Sequence, residues 1–149
     1  MAALLINVAD MIVSELNARS AAAGFSLSFS AERSWQPIES LKTFTGLKVL
    51  VVPRENPREL AGRGGQAEET VQVDVGVLAK LTASTTAQVD PWVNLCDEIA
   101  VWLLGGVLAT VPIPVRIAES AVAVPLVPEN LKLFRVFTGV VRLRCEGMR

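Results

Sequence analysis

Hydrophobic and polar positions along the chain change period several times, and each change marks an element. Leu4, Leu5, Val8, Met11, Ile12 and Leu16 recur at helical spacing with Asp10, Ser14 and Glu15 between them. That spacing predicts an amphipathic first helix of about four turns. The run Ser20 to Ala23 and then Gly24 close it. The period then drops to two: Phe25, Leu27 and Phe29 alternate with Ser26, Ser28 and Ser30. This is the signature of a half-buried strand running on towards Arg33 and stopped by Pro37. Leu47 to Val52, rich in β-branched residues and bounded by Gly46 and Pro53, predicts a second strand.

Pro53 to Gln66 reads as a flexible polar loop, with Pro57, Gly62, Gly64 and Gly65 in it. The clearest alternation follows: Val71, Val73, Val75 and Val77 face one way, and Thr70, Gln72, Asp74 and Gly76 the other. Asp90-Pro91 has the form of an N-cap and first-turn proline. A helix is expected from there, with Trp92, Leu95, Cys96, Ile99, Trp102 and Leu103 as its buried stripe and Gly105-Gly106 at its end. Pro112, Pro114 and Pro125 restrict Val111 to Val127 to short or edge strands. Pro128-Glu129-Asn130-Leu131 predicts a single helical turn, and Phe134 to Cys145 a long final strand with Arg142 and Arg144 facing away from Val141, Leu143 and Cys145. The fold class expected from this order is α+β. One domain spans residues 1–149, with a mostly antiparallel sheet of four or five strands, two main helices on one of its faces, and a flexible loop near 53–67.

Composition sharpens this in one respect. Hydrophobic residues make up 51% of the 149 and charged residues 19%, whereas charges usually form about a quarter. A domain of this size hides less apolar surface than that, so a subunit interface is expected to take the surplus. The net charge of −1 gives no electrostatic case for generic binding to nucleic acid or anionic membranes. Met1 to Val13 lacks a basic start and is interrupted by Asp10, so it is not read as a secretory signal. Ile99 to Val115 is uncharged but broken by Gly105-Gly106, Pro112 and Pro114, and is read as a helix end running into a loop and strand.

Candidate chemistry is sparse. The chain has no histidine, which removes His-assisted nucleophiles and histidine-bearing zinc sites. Cys96 and Cys145 have no motif spacing and read as buried thiols. Asp97 and Glu98 are helix neighbours and point about 100° apart, which fits a solvated face better than a proton-sharing pair. Gly62-Arg63-Gly64-Gly65 lacks the lysine and the following helix of a phosphate-binding loop. Arg54, Arg58 and Arg63 make their loop locally basic, nearly cancelled by Glu55 and Glu59. Trp92 and Trp102 read as core. Trp35, in a polar context beside Pro37, reads as a contact anchor. No catalytic, cofactor or metal residues are assigned.

The order of segments resembles the neck and tail-terminator (tail-completion) proteins of long-tailed bacteriophages and prophages. The resemblance rests on Leu4-Leu5-Ile6-Asn7-Val8-Ala9-Asp10 with its helix to Asn17, Phe25 to Arg33, Leu47 to Pro53, Val73 to Val77, Leu95 to Leu103, Pro128 to Leu131 and Phe134 to Gly139. It is weakest over Ala83 to Pro91 and Gly105 to Pro125. It implies a non-enzymatic virion protein of the head–tail joint, made in the host bacterial cytoplasm and needing no cofactor. Six copies would form a ring that caps the tail tube, ends its polymerisation and docks the head connector. Its partners would be further copies of itself, the tail tube protein and connector proteins, with DNA passing non-specifically through the ring and no membrane involved.

Under that reading Trp35, Arg54, Arg58 and Arg63 are contact residues and Arg142 and Arg144 face the lumen. Sheet edges such as Phe134–Cys145 or Phe25–Arg33 would meet across subunits. Two alternatives stand beside it. One is a head-closure or neck adaptor, or a baseplate subunit of a contractile machine. The other is a small enzyme using carboxylate or serine chemistry, with a deep pocket around Glu32, Asp74, Asp97 or Glu98.

Overall fold

Apolar side chains at every second position of the longest strands meet two apolar helix stripes, and this meeting makes the core. A computed structural model describes residues 3–35, 46–56, 58–60, 67–80, 86–110, 114–123 and 136–148. The elements run α1 (Leu4–Ala21), β1 (Ala31–Arg33), β2 (Leu47–Glu55), β3 (Arg58–Leu60), β4 (Ala67–Lys80), α2 (Thr86–Leu103), β5 (Val107–Leu108), β6 (Val115–Ala123) and β7 (Val136–Met148). The class is α+β. Six strands lie in the order β1-β2-β4-β7-β6-β5, and the three-residue β3 pairs beside them on β4. All neighbours are antiparallel except β1 and β2. The sheet therefore exceeds the expected four or five strands, because β5, with two residues, is too short to show a period of its own.

Register explains the core. Val73 pairs with Leu143, Val75 with Val141 and with Val51, and Val77 with Val49. These residues share a face and are buried with Leu4, Val8, Ile12 and Leu16 of α1 and Leu95, Cys96, Ile99 and Leu103 of α2. Both helices thus lie on one face of the sheet, as the two stripes require. Trp92 lies against Phe137, with ring centroids 5.7 Å apart, and Phe25 meets Trp102 edge-on at 5.6 Å. Leu50, Val52, Leu78 and Val136 form a second, smaller buried cluster.

Four expectations are corrected. The strand expected over Phe25–Arg33 is reduced to β1. From Phe25 to Ser30 the backbone is held by helix side chains instead of a ladder: Ser26 N–H donates to Glu98, and Ser20 Oγ accepts from Phe29 N–H and donates to Phe29 C=O. The polar segment 53–67 is partly strand, since β2 runs to Glu55 and β3 covers 58–60. Its glycine-rich part, Gly62 to Gly65 with Arg63, lies outside the described residues, as does the turn expected at Pro128–Leu131. Helix α2 starts at Thr86, so Asp90 is no N-cap and Pro91 sits in the second turn. At that position the missing proline N–H removes one intrahelical bond. Between Pro114 and Pro125 lies β6, nine residues long and, past its first residues, at an edge among the described residues, as the prolines lead one to expect. Finally, β7 is not a sheet edge, because it pairs along its length with β4 and also with β6.

Among the described residues no helix is long and apolar enough to cross a membrane. Helix α2 ends at Leu103, where Gly105 adopts the left-handed conformation (φ 80°) and the chain turns into β5.

Candidate functional site

Three features of the surface stand out once the elements are in place. The first is the sheet face turned away from the helices. There β4 presents Gln72 and Asp74, β7 presents Arg142 and Arg144, and β6 presents Glu119 and Ala121. Parity places Glu119 here only because β6 carries an irregularity between Ile117 and Glu119, where Ala118 is the extra residue. With Arg54 these side chains line a shallow cleft of about 310 Å³. Arg54 Nη1 donates to Asp74 Oδ2 at 2.9 Å, and Arg144 Nη2 to Glu119 Oε1 at 2.7 Å, while Arg144 also reaches Glu146. The hydrogen bond and charge of Arg144 hold the Glu119 carboxyl below its ordinary range, and Glu119 in turn raises the Arg144 guanidinium. Arg142 is exposed and has no ion-pair partner among the described residues. Such a face offers exposed guanidinium groups beside neutralised pairs, enough to meet a polyanion weakly and in a salt-dependent way.

The second feature is a corner at the end of α2. Val101, Leu104 and Val107 are 68%, 51% and 70% exposed. Val101 also lines a pocket of about 350 Å³ with Arg19, Phe25, Asp97, Glu98 and Trp102. The Arg19 guanidinium lies over two rings, 5.3 Å from the Phe25 centroid and 4.9 Å from that of Trp102. The pocket owes its wall to Glu98, whose carboxylate accepts the Ser26 N–H and hydroxyl and ties the 25–30 segment to α2.

The third feature is the pair of sheet margins. Ser34 N–H donates to Val51 C=O, so in β1 the N–H and C=O of Ala31 point outward. Both are taken by one side chain: Asn17 Oδ1 accepts from Ala31 N–H at 2.7 Å, and Asn17 Nδ2 donates to Ala31 C=O at 3.0 Å. At the other margin β5 covers only Val115 and Arg116, with Gly105 and Gly106 bonding Ile117. Beyond Ile117 no strand among the described residues pairs with the outer edge of β6.

The residues singled out in the sequence are thus scattered. Arg54, Arg142 and Arg144 meet on the open face, whereas Trp35, 60% exposed, stands at the end of β1 beneath the Arg33 guanidinium. Arg58 lies on β3 and Arg63 outside the described residues. Of the four carboxylates considered for an enzyme, Glu32 pairs with Lys48 at 2.8 Å and Asp74 with Arg54, while Asp97 and Glu98 line one pocket, Glu98 bonded to Ser26 and Asp97 exposed. Cys96 and Cys145 are free thiols, and burial pushes each to about 12, which leaves them protonated and unreactive at neutral pH. Sequence reading missed Glu119, whose role depends on the bulge, and Arg19, whose stacking depends on how the 25–30 segment folds back.

No family model matches the chain, and no curated protein matches it. Among solved structures, a protein designated only by a number matches at a TM-score of 0.47 with 16% identity, over 92% of this chain and 93% of its own.

Proposed function

We propose that this chain is a structural subunit of the phage head–tail joint. Six copies form a ring that caps the tail tube, ends its polymerisation and docks the head connector. The observation that carries the assembly part of this reading is the apolar corner of Val101, Leu104 and Val107, each more than half exposed. Large apolar side chains left this exposed, if they cluster, are covered in proteins that work as subunits. It fits the surplus of hydrophobic residues in the sequence and the segment order that resembles tail terminators. The charged end of this sheet face, where exposed Arg142 lies beside the Arg144–Glu119 pair, supports the placement of Arg142 and Arg144 along a lumen.

The test is to add the purified protein to polymerising tail tube subunits and to image the products. Tubes that stop growing and carry a sixfold ring at one end are expected. Unchanged tube lengths with no density at the ends would overturn the reading.

A further inference from the structure

Two features, one beside the middle of α1 at Asp10 and one at its C-terminal end by Arg19, complement each other. At one end, Trp35 projects 60% exposed with the Arg33 guanidinium 5.7 Å from its ring centroid, and Arg33 itself is held only by an exposed pair with Asp10 at 3.4 Å. At the other end lies the pocket of Phe25, Val101 and Trp102, with the cation of Arg19 in its wall and Asp97 exposed at its rim. An indole is the side chain that such a pocket suits best. It adds an aromatic face to a guanidinium already stacked on rings, buries apolar surface against Val101, and brings its own arginine towards an acidic rim.

The two features cannot meet within one chain. Asp10, beside the Arg33–Trp35 pair, and Arg19, which marks the pocket, are separated along α1 by about 14 Å at the helical rise per residue. The segment between them is pinned to the helix by Ser20 at Phe29 and by Asn17 at Ala31, which fixes that separation. A surface and its complement held apart on one rigid body make a head-to-tail contact, and such contacts close into rings when the rotation allows.

We infer that Trp35, with Arg33 beside it, inserts into the Phe25–Val101–Trp102 pocket of a second copy of this chain, and that this contact is the repeating interface of the assembly. The inference rests on the ring reading above and names the surfaces that build it. Because the contact is heterologous, it makes a prediction that a two-fold dimer contact does not. Trp35→Ala removes the plug and leaves the pocket; Val101→Glu spoils the pocket and leaves the plug. Both positions are largely exposed, so both variants are expected to keep the parent's circular dichroism and thermal unfolding.

The experiment measures solution mass by light scattering across a concentration series, for the parent, for each variant and for their equimolar mixture. The parent is expected near six subunits, each variant alone as a monomer, and the mixture as a one-to-one dimer that grows no further. If the parent assembles and either variant assembles equally well, the inference falls and the ring reading stands. If both variants are monomers and their mixture stays monomeric, the plug-and-pocket pairing falls. A parent that is monomeric at every concentration overturns the inference together with self-assembly of the free ring.

Discussion

Gly139 and Cys96 are in such close contact that a Cβ placed on the glycine would come within 2.8 Å of the cysteine sulfur. The same Cβ would lie 3.1 Å from the Phe137 ring. Gly139 sits on the helix face of β7, opposite Val77, so the missing side chain is what allows α2 to approach the sheet there. Gly139→Ala is expected to destabilise the fold by about 1–3 kcal/mol, the usual cost of overpacking. Combining it with Cys96→Gly should recover part of that loss, and a double-mutant cycle in urea measures the coupling. Additive effects would show that the two residues do not compete for space.

A gain in stability is expected at the end of α1. Ala23 adopts φ 56°, and the bonds Ala23 N–H to Ser20 C=O and Gly24 N–H to Arg19 C=O close the helix in a Schellman turn. The left-handed position thus carries alanine, with glycine one residue later. Ala23→Gly should stabilise by about 1 kcal/mol, since the left-handed region costs a side chain about that much. Gly24→Ala should do the reverse, because its Cβ would lie 2.4 Å from Arg19 Cγ. Thermal unfolding of both variants checks the pair of signs.

Asn17→Ala is expected to cost about 1–3 kcal/mol, since it strips the outward N–H and C=O of Ala31 of their partners. Asn17→Asp separates the two bonds: the carboxylate still accepts from the N–H but cannot donate to the carbonyl. Amide hydrogen exchange at Ala31 reads the effect directly. Protection should vanish in Asn17→Ala and persist in Asn17→Asp.

The buried thiols give the protein an alkaline limit. Cys96 and Cys145 stand at about 12 in the fold against 9.0 for an ordinary thiol. The folded state therefore holds their protons more tightly than the unfolded chain does. Their contribution is complete below pH 9 and is lost as the pH climbs towards 12. Stability should fall over that window with a slope of up to about 1.4 kcal/mol per pH unit for each thiol. Urea unfolding of the parent and of Cys145→Ala at pH 8 and pH 10.5 tests this, with a shallower slope expected for the variant.

How much of this was legible in the chain depends on who satisfies each backbone group. The Val71–Val77 stripe and the Val141–Leu143–Cys145 stripe named their strands because ladder partners and core partners both follow a period of two. Phe25 to Ser30 shows the same alternation, yet its backbone bonds go to Ser20 and Glu98, side chains that lie far off in sequence or on another element. β3 escaped notice because Arg58 to Leu60 has no apolar stripe and is a strand only by lying along β4. Asp90-Pro91 mimicked a helix start, while the helix continues upstream into polar residues that carry no marker. Of the open face, the arginines were visible and their partner Glu119 was not, since one extra residue in β6 decides which way it points.

The amide of Asn17 has a meaning for the population of molecules as well as for the single fold. It seals one margin of the sheet at Ala31, while the other margin past Ile117 keeps free donors and acceptors among the described residues. A sheet open on both sides can add strands from neighbours without end. One sealed on one side can accept a single neighbour by edge pairing, and that neighbour, joined through its own open edge, offers no further one. Crowded copies of the chain would then join through this edge two at a time rather than as fibres.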